Sequence, residues 1–261
     1  MAIINKPSDY FNTKLYTGNG ASSHAITGVG FKPDWTWNKN RSSAVNHALT
    51  DVVRAAPKKL VSNNNEAEIN QTTGLLSFNS DGFTVGSDSG YNGNGNSMVS
   101  WNWKAGTSFS NSAGANSATI ASTGSVNTDA GFSIVSYTGN GSAGATIFHG
   151  LGATPAMIIQ KIRSSTGNWL VYHHKNTSAP ETEFLRLNTA NATADEATIW
   201  NDTAPTSSVF SVGTESTING SGNTCVAYCF AEKQGYSKFG SYVGNGNAKG
   251  PMIFTGFKPA W

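Results

Sequence analysis

The sequence is short of charge. Only 12% of its 261 residues are Asp, Glu, Lys or Arg, against roughly 25% in an average globular chain. The 17 basic and 15 acidic residues nearly cancel to a formal net charge of +2, and no Lys/Arg cluster stands out. That excludes the electrostatic footprint of a nucleic-acid binder. Long apolar runs are lacking too. The longest, Cys225 to Ala231, falls far short of the roughly 20 residues a membrane helix needs. The opening MAIINKPSDY has one Lys and no apolar stretch, so no secretory signal is visible in it. Cysteine is scarce, with Cys225 and Cys229 alone. On a strand, residues four apart lie about 13 Å apart, beyond the roughly 7 Å a disulfide spans. They read as small, reduced strand hydrophobes in a chain that folds in a reducing cytoplasm.

What is present is glycine, small polar residues and rings. Glycine numbers 29, and 13 Phe, 8 Tyr and 7 Trp bring the hydrophobic share to 38%, so the chain is not disordered filler. Few Lys, Glu and Leu argue against helix bundles. The mixture fits many short strands joined by tight turns.

Self-similarity organises those turns. Tyr16-Thr17-Gly18-Asn19-Gly20 recurs as Tyr137-Thr138-Gly139-Asn140-Gly141 and as Tyr242-Val243-Gly244-Asn245-Gly246. A Gly-x-x-Pro step follows each, ending at Pro33, Pro155 and Pro259. Eight residues after the first two prolines stand Arg41-Ser42-Ser43 and Arg163-Ser164-Ser165, each preceded by a Lys, Lys39 or Lys161. Phe83-Thr84-Val85-Gly86 matches Phe210-Ser211-Val212-Gly213, and the segments 95–103 and 222–230 align without a gap. Matches in the same order at independent places imply a duplicated unit.

The expected organisation is an N-terminal arm (1–10), a first unit (11–106), a polar linker (107–114) and a second unit (115–235) opening with an extra strand at 118–123. A third unit starts at 236 and breaks off at Trp261, the counterpart of Trp35, which reads as the front part of something longer. Alternation such as Trp35, Trp37, Lys39 and Arg41 on one face marks strands, and Gly-Asn-Gly supplies the positive φ of hairpin turns. Helix is expected only as a turn or two at 65–70 and 192–198. The fold class is all-β: tandem β-sandwich repeats, jelly-roll or concanavalin/SPRY-like.

Taken together, MAIINKPSDYFNTKLYTGNG, GVGFKPDWTWNKNRSS, SFNSDGFTVG, VSWNWKAG and AYCFAEKQGYSKFGSYVGNGNAKGPMIFTGFKPAW resemble repeat-containing, tail-fibre-like virion proteins of marine bacteriophages. The resemblance covers nearly the whole chain. It implies a sandwich fold, a virion location after synthesis in the host cytoplasm, and a non-enzymatic role in particle assembly and host attachment. It brings no catalytic residues and no cofactor. Expected partners are other copies of the chain (a trimer), other virion proteins through the N-terminal arm, and a host surface glycan or receptor. A capsid decoration or head-fibre role is the alternative placement.

Enzyme signatures are missing. Gly139 to Gly144 matches the dinucleotide glycine pattern, but no βαβ unit surrounds it. His173-His174 faces both ways on a strand, and no metal site is expected. Asp88 and Glu215 recur one per unit and suit a loop role, while Asp129, Glu181, Glu183, Asp195 and Glu196 have no repeat partners. A polysaccharide depolymerase, which needs two converging acids, is a remote alternative. The candidate contacts are Lys39, Arg41 and Asn46 in the first unit and Lys161, Arg163, Asn168, Trp169 and Tyr172 in the second. Cations at a strand end can bind an acidic sugar, pair with a neighbouring subunit's carboxylate, or anchor the following loop. An aromatic beside Asn, Arg and Ser can form a shallow glycan site, or simply pack.

Overall fold

The computed structural model describes residues 3–260. Met1 and Ala2 of the expected arm, and Trp261 of the third repeat, lie outside the described residues. Strand makes up 36% and helix 6%, so the chain is all-β.

A 3-10 turn at Pro7–Asp9 leads into the first segment. This segment contributes β1 (Phe11–Thr17), β2 (His24–Thr27), β3 (Trp35–Asn40), β4 (Ala48–Asp51), β5 (Lys58–Lys59) and β6 (Ile69–Asn70). It continues with β7 (Leu75–Asn79), β8 (Gly82–Val85), the helical turn α1 (Ser89–Asn92) and β9 (Ser97–Trp103). Next come β10 (Thr107–Asn111) and β11 (Ser122–Asn127). The second segment supplies β12 (Phe132–Thr138), β13 (Ala145–Phe148), β14 (Met157–Ile162), β15 (Leu170–His173), β16 (Glu183–Arg186) and β17 (Ala194–Asp195). It closes with α2 (Ala197–Trp200), β18 (Val209–Val212), α3 (Ser216–Asn219) and β19 (Thr224–Phe230).

A four-stranded sheet runs β1-β9-β3-β4, and an eight-stranded sheet runs β10-β11-β12-β19-β14-β15-β16-β17. The stretch β12-β19-β14-β15 therefore has the strand order of β1-β9-β3-β4. Register agrees as well. Trp35 faces Trp103 on one side and Asp51 on the other, as Met157 faces Phe230 and His173. Two small sheets, β2-β8-β7 and β13-β18, cover the outer faces.

Period-two alternation sorts the side chains between layers. On β19, Cys225, Ala227 and Cys229 face the core under β13-β18. Val226, Tyr228 and Phe230 face the opposite way, into a core shared with Trp35, Trp37, Trp103 and Leu49 of the first segment. A third core lies under β2-β8-β7 around Ile26, Phe83, Val85 and Tyr91. The central core is a ring stack: Trp35 lies 4.2 Å from Tyr228 at 15° and 5.8 Å from Phe132 at 17°. Burying such rings contributes roughly 1.5–3 kcal/mol each by area. Each segment thus has a core under its own small sheet, while the largest rings of the first, Trp35 and Trp103, pack against each other and against the second segment in the shared core.

Three local expectations are corrected. The stretch 107–114 is not a free linker. Thr107–Asn111 pairs with β11 as an edge strand, because Phe109 packs edge-on against Phe148 at 5.4 Å and draws the segment onto the sheet. The turn expected at 65–70 is not helical: residues 65–68 belong to neither helix nor strand, and Ile69–Asn70 pairs with Lys58–Lys59. The helix expected at 192–198 forms later, at Ala197–Trp200, after a short strand. From Gly240 to Ala260 the described residues form no strand.

Candidate functional site

The repeated cations do not converge on a common surface. In the first segment the Lys39 ammonium donates to the Val45 carbonyl oxygen. Arg41 is exposed and bound through its backbone N–H to the Ser97 carbonyl at 2.8 Å. Asn46 accepts from the Asn63 amide at 2.8 Å. These are loop anchors at the sheet rim.

Their counterparts lie under a cover. The loop 61–68 of the first segment crosses the second segment's 163–169 loop. Lys161 is fully buried there and donates to Gly167 O at 2.8 Å and Asn65 O at 3.3 Å. Burial lowers its pKa from the usual 10.5 to about 8. Arg163 grips Glu68 with a two-pronged fork, Nε to Oε2 and Nη2 to Oε1, both 3.0 Å, and its third arm reaches Ser136 Oγ at 3.0 Å. Such bidentate pairs fix geometry as well as charge. Glu68 also accepts from Arg54 Nη1 at 3.0 Å. Arg54 Nε meets Asp51 Oδ2 at 2.5 Å, and Tyr228 donates to the same oxygen at 2.7 Å. Burial opposes the charge on Glu68, yet the Arg163 fork and Arg54 hold its carboxyl below the usual range. Arg163 thus pairs with a carboxylate of its own chain.

Trp169 and Tyr172 are corrected likewise. Strand alternation sends Trp169 into the central core and Tyr172 into the core under β13-β18. Trp169 is fully buried, donates its indole N–H to Val61 O at 2.8 Å and lies 6.4 Å from Tyr228 at 22°. Tyr172 is buried edge-on against Trp200 at 6.0 Å. Neither ring offers a face to a sugar. Asn168 accepts from the Asn188 amide at 2.9 Å and borders a cleft.

That cleft, about 330 Å³, is open at the end of the second segment. Its polar rim includes Asn65, Asn168, Arg186, Glu196 and Glu215, over a floor of Leu170, Phe184 and Ile199. The Arg186 guanidinium covers the Phe184 ring at 4.5 Å, so a ligand here meets hydrogen-bonding groups rather than a stacking face. Glu215 caps α3 by accepting from Thr217 N at 3.3 Å, as Asp88 caps α1 by accepting from Gly90 N at 2.8 Å. Glu196 holds the place of Gln71: the backbone bonds Glu215 N to Thr198 O and Asp88 N to Thr73 O are the same bond in each segment. In the first segment Gln71 Nε2 donates to Asp88 Oδ2 at 2.7 Å and ties the two side chains together. Two carboxylates in the second segment offer no donor to each other. The recurrence of Asp88 and Glu215 was legible in the sequence. The Gln71–Glu196 match was not, because loops of unequal length precede it.

The histidine pair and the two thiols are held within the fold. His174 bonds Phe239 O at 3.2 Å through Nε2 and lies 3.8 Å from Glu232, while His173 accepts from Lys175 N at 3.1 Å. Burial pushes the Cys225 thiol up to about 11 and Cys229 up to about 12, which makes both poor nucleophiles. Among the described residues no three His, Cys, Asp or Glu side chains are grouped to hold a metal ion, and no helix is long and apolar enough to cross a membrane.

Comparison with curated proteins and with solved structures finds no match. The family profile of a domain of unknown function, DUF7483, matches residues 6–261. A match over nearly the full length places the chain in that family: it is a member of DUF7483.

Proposed function

We propose that the chain is a non-enzymatic structural module of a bacteriophage virion, part of a tail fibre or other surface appendage that serves particle assembly and host attachment. The observation that carries this reading is the use made of the reactive side chains. Lys161, Arg163, Glu68, Arg54 and Asp51, with the rings of Trp35 and Trp169, all link the first segment to the second. The resemblance of the repeated motifs to phage virion proteins supplies the biological setting. Low surface charge suits packing against other copies, a trimer in this proposal, with the N-terminal arm docking to the particle. Mass spectrometry of purified particles tests it. Peptides of this chain are expected among the virion proteins, and a cryo-EM map is expected to place the sandwich on the surface. Absence from the particle overturns the reading.

A second reading has one observation in its favour. The cleft beside Asn168 has Arg186, Glu196 and Glu215 in its lining in the second segment, where the matching Gln71 and Asp88 of the first are bonded to each other. A host glycan held by hydrogen bonds alone fits such a rim. Soluble protein is then expected to block host adsorption, and Arg186→Ala to lose that block while the fold survives. Blank glycan arrays and unblocked adsorption leave the structural role alone.

A further inference from the structure

The repeated Tyr-x-Gly-Asn-Gly motif is more than a hairpin turn, because in both segments it is seated in a matching socket. The socket is an acid-capped helical turn ending in Asn: Asp88 to Asn92 with α1, and Glu215 to Asn219 with α3. Asn92 Oδ1 accepts from Asn19 N at 2.9 Å, its carbonyl accepts from Gly20 N at 2.9 Å, and its amide donates to Ala21 O at 3.1 Å. Asn219 repeats all three contacts with Asn140, Gly141 and Ser142 at 3.0, 2.7 and 2.8 Å. The motif tyrosine completes the seat, Tyr16 donating to Tyr91 O at 2.6 Å and Tyr137 to Ile218 O at 2.8 Å.

The third motif, Tyr242 to Gly246, has the same shape without a seat. Asn247 N donates to Asn245 Oδ1 at 3.0 Å, as Ala21 N does to Asn19 and Ser142 N to Asn140. Gly246 sits at φ +63, beside +66 for Gly20 and +75 for Gly141. Gly244 is the informative residue. A Cβ on Gly18 would lie 2.2 Å from the Gly93 carbonyl oxygen, and one on Gly139 would lie 2.5 Å from that of Gly220, so the socket demands glycine. A Cβ on Gly244 meets nothing within 4 Å, and its φ is not in the left-handed region. Nothing in the tail itself explains that glycine. Around it Tyr242, Val243, Met252 and Phe254 are 67%, 88%, 85% and 78% exposed.

We infer that Tyr242 to Gly246 is a preformed plug, and that the tail from Gly240 orders only on a polypeptide presenting an empty socket of the α1/α3 kind. The partner's chemistry follows from the two filled examples: an Asp or Glu cap, Ser, two residues, then Asn-Gly, leading into a strand like β9 or β19. Another copy of residues 1–261 does not qualify, because both its sockets already hold their own motifs. This inference stands independently of the virion reading.

Hydrogen exchange on the full chain provides the test. Amides of residues 242–254 are expected to exchange fast in the chain alone. Extending the chain after Trp261 with a second copy of residues 36–106 supplies an empty socket, and the same amides are expected to slow at least about tenfold. Two variants of the extended chain should restore fast exchange: Asn92→Ala in the appended copy, and Gly244→Ala in the tail. A synthetic peptide spanning Gly82–Gly106, added in trans, is expected to protect the same residues. Slow exchange in the unextended chain, tail-dependent dimers of it, or a tail left fast by both extension and peptide each overturn the inference.

Discussion

Six strands of each segment, β1, β2, β3, β4, β8 and β9 against β12, β13, β14, β15, β18 and β19, pair in the same order and register, yet the same position does opposite work in each. Lys39 and Lys161 both donate to the carbonyl six residues on, Val45 or Gly167. Lys39 sits at an uncovered rim, whereas Lys161 is sealed by the Asn65 loop. Asp51 and His173 both cap the turn after their strand, accepting from Val53 N at 3.0 Å and Lys175 N at 3.1 Å. Asp51 goes on to anchor a buried ion network, while His173 stays half-exposed. Shared register gives the two segments the same local geometry; which of two matching residues becomes interior depends on what the other segment lays across it.

The comparison is broken most severely at Trp169. Trp169→Ala is expected to destabilise the fold by about 4–5 kcal/mol, through an indole-sized void and an orphaned Val61 carbonyl. His47→Ala, at the corresponding rim position, removes a partly exposed ring and the acceptor of the Trp37 indole N–H and should cost about 1–2 kcal/mol. Urea unfolding of both variants measures the difference, and equal losses would deny the asymmetry.

Next comes the ion network. Arg54→Met leaves Asp51 and Glu68 without their shared cation, and breaking a buried pair costs about 3–5 kcal/mol. The lower end is expected here, because Arg163 still grips Glu68. Asn176 stands where Arg54 does, and Asn176→Ala is expected to change stability by less than about 1 kcal/mol. Paired unfolding curves decide it.

The smallest effect sharpens the lysine contrast. Between pH 8 and 10.5 the folded state has released the Lys161 proton while the unfolded chain still holds it. At this site the unfolded state binds more protons, so the Lys161 contribution to stability rises with pH, against an opposite contribution from Cys225 and Cys229, whose folded thiols keep protons that the unfolded ones release. The gain is of order 1 kcal/mol after allowance for solvent screening. Lys161→Met should therefore have a lower slope of stability against pH than wild type over this range, and Lys39→Met should keep the wild-type slope. Chemical denaturation at several pH values provides the readout, with a slope in Lys161→Met equal to that of wild type counting against the buried-lysine account.

Much of the architecture was legible because it is local. Alternation around Trp35 and Tyr228 marked strands, and the spaced glycines marked turns. The candidate site was legible only as a set of residue types. Lys161, Arg163, Asn168, Trp169 and Tyr172 lie within twelve positions and read as one loop cluster. Alternation sends Trp169 and Tyr172 to different cores, and the partner that claims Arg163 is Glu68, 95 residues away. No spacing rule reaches that far. The cleft acid Glu196 was missed as a counterpart of Gln71 for the same reason, since their equivalence is visible only in backbone bonds.

By itself the sequence determined the strand class, the repeated turns and the alternation that gives each strand two faces, because these follow from φ/ψ preferences and period-two geometry. Tertiary structure alone decided that Thr107–Asn111 is a strand and that two sheets share one aromatic core. It also decided that repeated cations became a buried bridge in one segment and a rim in the other. Burial and charge pairing depend on what lies across from a residue, and in an all-β chain that neighbour comes from far along the sequence.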